Sequence, residues 1–370
     1  MKKVLYCAST VSHIKNFHLP YLKAFKEANY QVWVGVNEKK EIPFSDFVVP
    51  FSFRKKMFSL ANLTAILSVW KLLRREKFDI VSTHTTLASI IVRLAIKLLP
   101  KTKRPRVFHT SHGYLFNDNT RFQKLLYLIP EKLCSSVTNV LMVMNQEDLS
   151  IAKKYRLYKN DLYLINGMGI NPANFFSSTE EEKLTLRKKM GYEKNDFLFI
   201  YIAEFSKRKN HLFLIRAFSA LFAENKNIKL MLVGDGNELG LCKEWVTEAG
   251  YGENIYFAGF VENVRELLDI CDAYVSSSLI EGLPFNIMEA MLCNKPVVAS
   301  RIKGHIELID DAVNGFLYKP GKTEDLCAKL RTIVKISSKI TPQLKLYNNE
   351  KLNKYGKDKV VPSIMKIYRI

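Results

Sequence analysis

Short apolar, β-branched runs recur along the chain, each followed by a longer stretch with apolar residues at helical spacing. In the first half the runs are 4–8, 31–36, 80–83, 107–110 and 140–144, with a further run at 162–165. In the second half they are 197–203, 229–233, 255–258, 273–276 and 296–299. Regular alternation of strand-like and helix-like segments predicts parallel sheets covered by helices on both faces, once per half. The predicted fold class is therefore α/β, with two Rossmann-like domains. A chain of 370 residues also exceeds what a single hydrophobic core usually fills.

Between the halves, Asn166-Gly167-Met168-Gly169-Ile170-Asn171-Pro172 is rich in turn formers and precedes a charged helical stretch at 179–190. The boundaries expected from this are 1–170, 171–345 and a terminal segment 346–370. Within that segment Val360, Val361, Ile364, Met365, Ile367 and Tyr368 give an amphipathic helix that needs a surface to cover, despite Pro362 near its start.

Charge sharpens the picture because it is unevenly shared. Residues 1–170 carry 27 Lys and Arg against 11 Asp and Glu, a net +16 of the chain's +20. Three stretches of the N-terminal half mix cations with large apolar residues: Arg54-Lys55-Lys56-Met57-Phe58, Trp70-Lys71-Leu72-Leu73-Arg74-Arg75 and the helix at 90–99 with Arg93 and Lys97. Lys101-Thr102-Lys103-Arg104-Pro105-Arg106 adds a dense cationic run. Such surfaces suit anionic lipid, although a solvated basic face accounts for the charge equally well. Nucleic acid is not expected, since no zinc-finger spacing or RNA-recognition aromatic signature accompanies the charge. The six cysteines are scattered without metal-ligand spacing and read as reduced, buried small hydrophobes of a cytoplasmic protein. No run of about 18 apolar residues and no signal-peptide core is present.

In open parallel sheets, ligands bind beyond the carboxyl ends of the strands. The most informative such stretch is Glu281-Gly282-Leu283-Pro284-Phe285-Asn286-Ile287-Met288-Glu289, where a turn leads into a helix starting near Phe285. Free N–H groups at that helix start would receive a phosphate, flanked by two carboxylates able to accept hydrogen bonds from sugar hydroxyls. By itself the pattern equally describes acidic residues favoured by a helix dipole. After the strand at 197–203 comes Lys207-Arg208-Lys209, three cations able to neutralise an anionic leaving group. No Asp-x-Asp pair follows any strand, so no metal is expected. Gly234-Asp235-Gly236 and Gly259-Phe260-Val261-Glu262-Asn263 are further strand-end loops in which glycine permits close backbone approach.

Taken together, residues 197–330 resemble glycosyltransferase family 4, the retaining enzymes of the GT-B architecture. The likeness is carried by Val233-Gly234-Asp235-Gly236, Phe257-Ala258-Gly259, Asp272-Ala273-Tyr274-Val275, Ser278 to Ala290 and Lys295-Pro296-Val297-Val298-Ala299-Ser300, then Gly304, Glu307 and Asn314-Gly315. The N-terminal half is more loosely similar, and most like bacterial capsule and exopolysaccharide enzymes, through His13-Ile14-Lys15-Asn16-Phe17-His18-Leu19-Pro20, Ser82-Thr83-His84 and His109-Thr110-Ser111-His112-Gly113.

The resemblance implies two domains facing across a cleft, acceptor-binding then donor-binding, with the last helix packed back on the first. It also implies that Glu289 binds the donor ribose, Glu281 faces the transferred sugar, and Lys209, with Arg208, holds phosphate. Gly234, Gly282, Leu283 and the backbone N–H groups of Phe285, Asn286 and Ile287 would surround the diphosphate, with the base near Phe260 and Val261. His112 would lie near the transferred sugar, with His84 and His18 on the acceptor side; His109 reads as structural. Where many members place an arginine five residues before the lysine, this chain has Glu204. The implied reaction is retaining transfer of a hexose or N-acetylhexosamine from a nucleotide-sugar, with UDP as the diphosphate, to a lipid-linked saccharide at the membrane. Two rival readings stay open, an inactive sugar- or lipid-binding homologue and a sugar-nucleotide epimerase of similar architecture; nucleic-acid binding, a third that the charge raises, is not expected.

Overall fold

The computed structural model describes residues 1–52, 60–116, 121–175 and 178–370, and the side chains of these except 60–61, 121–123 and 337–342. The chain divides into two compact units, Met1–Gly169 with Lys357–Ile370, and Ile170–Gly356.

The first unit is built on seven parallel strands: β1 (Lys2–Cys7), β2 (Tyr30–Val36), β3 (Phe47–Pro50), β4 (Ile80–His84), β5 (Arg106–Thr110), β6 (Val140–Val143) and β7 (Asp161–Leu164). Their order is β3-β2-β1-β4-β5-β6-β7. Strand β1 is central, and Val4, Leu5, Tyr6 and Cys7 are all buried, as a strand covered on both faces requires. The second unit has β8 (Phe197–Ile202), β9 (Ile228–Val233), β10 (Ile255–Gly259), β11 (Ala273–Ser276), β12 (Val297–Ser300) and β13 (Gly315–Tyr318), ordered β10-β9-β8-β11-β12-β13. Each sheet has a switch point where the order reverses, between β1 and β4 in one and between β8 and β11 in the other. There the loops leaving adjacent strands diverge and open a crevice at the carboxyl edge.

Two strands escape the sequence pattern, β3 and β13, and both are sheet edges. Strand β3 ends in proline and has Phe47 exposed, and β13 is four residues that open on Gly315 and include no β-branched side chain, so neither reads as a β-branched apolar run. The charged stretch near 180 forms the helix Glu180–Lys189, started by a reciprocal capping box between Thr179 and Glu182.

The terminal segment begins later than 346. A single helix, Thr323–Leu352, runs past that position inside the second unit, and only the helix Lys357–Tyr368 belongs to the first. There Val360, Ile364, Met365 and Tyr368 are buried. The Tyr368 ring packs against Phe25 and Phe108, and its hydroxyl lies 2.6 Å from Ser82 Oγ.

One expected cation is withdrawn from the surface. Arg93 is fully buried and forks onto Glu131 at 2.8 and 2.9 Å, so it helps hold two helices together and cannot meet lipid. Leu72 and Leu73 are likewise core residues, while Lys71, Arg74, Arg75, Lys97, Lys101 and Lys103 are exposed. The run at 54–58 lies outside the described residues. All six cysteines are buried free thiols, and no helix among the described residues is long and apolar enough to cross a membrane.

Candidate active site

At the switch point of the second sheet, the loop leaving β8 brings Arg208 and Lys209 to the loop leaving β11, which carries Ser278 and Glu281. Lys209 Nζ donates to Glu281 Oε1, Ser278 Oγ donates to the same oxygen at 2.7 Å, and Arg208 Nη1 donates to Oε2 at 3.0 Å. Burial alone would raise the Glu281 carboxyl, but Lys209 and then Arg208 overcome it and hold the group down to about 2. The Lys209 ammonium is itself lowered by burial, against the opposing pull of Glu281. Behind the pair, Tyr201 in β8 donates its hydroxyl to the Lys209 carbonyl at 3.0 Å and lies 2.9 Å from Ser278 Oγ, and Ser277 Oγ donates to the same carbonyl at 2.9 Å. This floor fixes both loops. His305 continues it, its ring nitrogens 3.4 Å from Ser276 Oγ and 3.2 Å from Ser300 Oγ.

The helix Phe285–Leu292 begins beside this cluster, with Pro284 at its N-cap providing no side-chain hydrogen bond. Asn286 ties the helix start to β8 by donating Nδ2 to the Ile202 carbonyl at 2.7 Å. Its Oδ1 accepts the Ile287 N–H at 3.0 Å, so one of the three backbone donors expected for a diphosphate is engaged within the protein. Glu289 sits one turn into the helix, half-buried, without a hydrogen bond or ion pair among the described residues. Burial pushes its carboxyl up to about 7. The two carboxylates thus differ sharply: Glu281 is locked as an anion by cations, and Glu289 is poised near neutrality.

Glycine geometry brings the loops together. Gly234, at φ +143°, passes so close to β8 that an added Cβ would lie 2.1 Å from the Ala203 carbonyl oxygen. Gly304, at φ +80°, would place one 2.7 Å from the Gly282 carbonyl oxygen. Gly282 and Leu283 are buried in the turn, whereas Phe260, just beyond β10, is 77% exposed and Val261 follows it at the surface.

The first unit gathers histidines at its own switch point. His84 ends β4, His112 follows β5, His13 lies in the first turn of the helix Val11–Phe17, and His18 caps the end of that helix. His84 Nδ1 lies 3.3 Å from His112 Nε2, and His84 Nε2 lies 2.9 Å from Ser82 Oγ. His18 Nδ1 lies 2.9 Å from the Tyr6 hydroxyl. Burial lowers all four imidazoles, His13 to about 4. His109 points elsewhere, its Nδ1 3.1 Å from the Thr83 carbonyl. Thr85, β-branched yet at φ +63°, follows β4 and joins it to the end of β1 through Ser9, their hydroxyls 2.6 Å apart. Strain of this kind concentrates at functional sites.

Sequence reasoning missed Tyr201, His305 and His13 as members of these clusters. Tyr201 lies within a buried strand, where its hydroxyl gives no periodic signal; His305 and His13 follow strand ends and were open to the same rule that selected Lys209.

Comparison with known proteins identifies the family and the fold. Residues 21–167 match the family model described as Glycosyltransferase Family 4, and residues 182–358 match Glycosyl transferases group 1. EpsD of Bacillus subtilis (strain 168), a glycosyltransferase by name alone, is 31% identical over 90% of this chain and 87% of its own. The Escherichia coli UDP-Gal:alpha-D-GlcNAc-diphosphoundecaprenol alpha-1,3-galactosyltransferase is 27% identical over 79% of this chain and 74% of its own. Among solved structures, HepE of Anabaena in complex with UDP and glucose superposes with a TM-score of 0.79 at 20% identity, each chain covered fully. The chain accordingly belongs to glycosyltransferase family 4 and is a glycosyltransferase of GT-B fold, related to bacterial capsule and exopolysaccharide enzymes.

Proposed function

We propose that the protein transfers a hexose or N-acetylhexosamine, with retention and without a metal, from a UDP-sugar to a lipid-linked saccharide during synthesis of a cell-surface polysaccharide. The observation that carries this reading is the convergence of Arg208, Lys209 and Glu281 beside the start of the Glu289 helix, at the switch point of the second sheet. The E. coli relative acts with UDP-Gal on a diphosphoundecaprenol-linked sugar, which supports the donor and acceptor classes.

In this reading the diphosphate lies against the helix start and Lys209, where backbone dipoles and a buried cation neutralise the charge that builds as the sugar–phosphate bond breaks. Arg208 and Lys209 perform the task that a divalent ion performs elsewhere. Glu289 accepts hydrogen bonds from the ribose, Phe260 offers its exposed ring to the base, and Glu281 orients hydroxyls of the transferred sugar. The acceptor hydroxyl attacks the anomeric carbon on the face the diphosphate leaves. One C–O bond forms as the other breaks, and the hydroxyl proton passes to the departing phosphate oxygen. No covalent sugar–enzyme bond is needed, so positioning and charge stabilisation supply the rate. His112, held by His84, faces the sugar, and His18 lies on the acceptor side. The exposed cations of the first unit, Lys71, Arg74, Arg75, Lys97, Lys101 and Lys103, rest on anionic lipid and place the protein peripherally at the inner membrane face, where the acceptor is.

A thermal-shift and calorimetric screen against UDP, GDP, ADP and their sugars, without added metal, tests the donor site. Selective stabilisation by uridine nucleotides, lost in Glu289→Ala and Lys209→Ala, is expected. A folded protein indifferent to every nucleotide would overturn the reading in favour of a non-catalytic binding homologue.

A further inference from the structure

The histidine cluster of the first unit contains more nitrogen than sugar orientation uses. His13 Nε2 and His18 Nε2 are both buried and without a hydrogen-bond partner. Leaving buried polar atoms unpaired costs about 1–3 kcal/mol each, so a protein that keeps two side by side has a use for them. The His13 and His18 rings are 5.0 Å apart, and His13 and His112 are 4.8 Å apart edge to face. One nitrogen from each of His13, His18 and His112 falls within 4.8 Å of the others. We propose that His13, His18 and His112 form a binding site for one zinc-class transition-metal cation, with the fourth coordination position open.

Three features support this assignment. His18 Nδ1 is anchored on the Tyr6 hydroxyl at 2.9 Å, and when Nδ1–H is the donor the Nε2 lone pair is directed into the cluster. Metal-binding histidines are oriented in just this way, by a hydrogen bond from the other ring nitrogen. His84 supplies a second layer, steadied by Ser82 and reaching His112. Ligand bonds of about 2.0–2.1 Å in a tetrahedron need nitrogens roughly 3.4 Å apart. The widest pair must therefore close by about 1.4 Å, which modest side-chain rotation at the half-buried His13 and His112 supplies. Three imidazoles and no carboxylate suit zinc, nickel or copper rather than magnesium or calcium.

The cation is not needed for the transfer described above; it inhibits it. Bound to His112, it withdraws the ring proposed to face the sugar. That consequence rests on the proposed function, while the binding itself does not.

The test titrates metal-free, full-length protein with Zn²⁺ by calorimetry and with Co²⁺ by visible absorption. The expected result is one equivalent bound, with a tetrahedral ligand-field band lacking the intense thiolate charge transfer that a cysteine site would show. His13→Ala, on a half-buried helix face, keeps the fold by circular dichroism but loses the Co²⁺ band. Saturating Zn²⁺ lowers wild-type transfer at least tenfold, a chelator restores it, and His13→Ala is insensitive. Absence of saturable binding, or one equivalent bound equally well by His13→Ala and His112→Asn, overturns the proposal. UDP calorimetry on the same samples separates the two readings: UDP binding without zinc binding sinks only the metal site, and zinc binding without UDP binding sinks only the donor site.

Discussion

Lys209 and Glu281, 72 residues apart in sequence, form a buried ion pair that closes the switch point of the second sheet. Arg208 and Ser278 complete the coordination of the carboxylate, and Tyr201 holds both loops from beneath. Removing one partner strands the other charge in a site that water reaches poorly. Lys209→Met is expected to cost about 3–5 kcal/mol of unfolding free energy in urea and to abolish measurable transfer. Glu281→Gln, which keeps the shape and hydrogen bonds, loses transfer with a smaller stability cost.

The same pair sets an acid limit. The Glu281 carboxyl is held at about 2, so between about pH 5 and 2 the unfolded chain binds a proton that the folded protein does not. Its stabilising contribution is complete above the ordinary carboxyl range and disappears as pH falls through about 2. Urea melts from pH 6 down to 3 will show a steeper loss in the wild type than in Glu281→Gln.

Glu289 behaves in the opposite sense, because burial raises it to about 7. The folded protein retains a proton there that the unfolded chain releases at lower pH, so this residue costs stability as pH rises through that range. An ionised carboxylate accepts two ribose hydroxyl bonds better than a neutral acid. Affinity for UDP should therefore increase severalfold from pH 6 to 8 and level off above, with proton release visible as buffer-dependent heat in calorimetry. Glu289→Gln gives a flat profile.

Gly234→Ala places a methyl group 2.1 Å from the Ala203 carbonyl at a backbone angle closed to other residues. The β8 loop that carries Lys209 must shift, so a loss of roughly 3 kcal/mol or more is expected together with weaker UDP binding. Gly259→Ala is the control. It meets nothing within 4 Å and has φ +69°, so only the left-handed penalty of about 1–2 kcal/mol applies.

Tyr368 binds the terminal helix to the first unit through its ring and its 2.6 Å contact with Ser82. Tyr368→Phe should cost about 1 kcal/mol by urea denaturation. Deleting residues 357–370 uncovers Val360, Ile364, Met365 and Tyr368 and should lower the urea midpoint far more than the point change does.

Period and local chemistry were sufficient for much of this protein. Buried parallel strands are continuous apolar runs, so eleven of thirteen were legible, along with the helix starting at Phe285 and the placement of Glu281, Lys209 and the histidines at strand ends. Strands β3 and β13 were not, because β3 is four residues long and ends in proline, and β13 opens on glycine and has no β-branched residue. Tertiary structure alone decided which strand ends become neighbours, and sheet order is a long-range property that no local pattern encodes. That order gave Lys209 a carboxylate partner, divided the two glutamates into a fixed anion and a near-neutral acid, and hid Arg93 against Glu131. It also brought His13, 99 residues away in sequence, against His112. Each of these depends on burial and on charges arriving from distant segments, and a side chain's solvation is set only when the chain has folded around it.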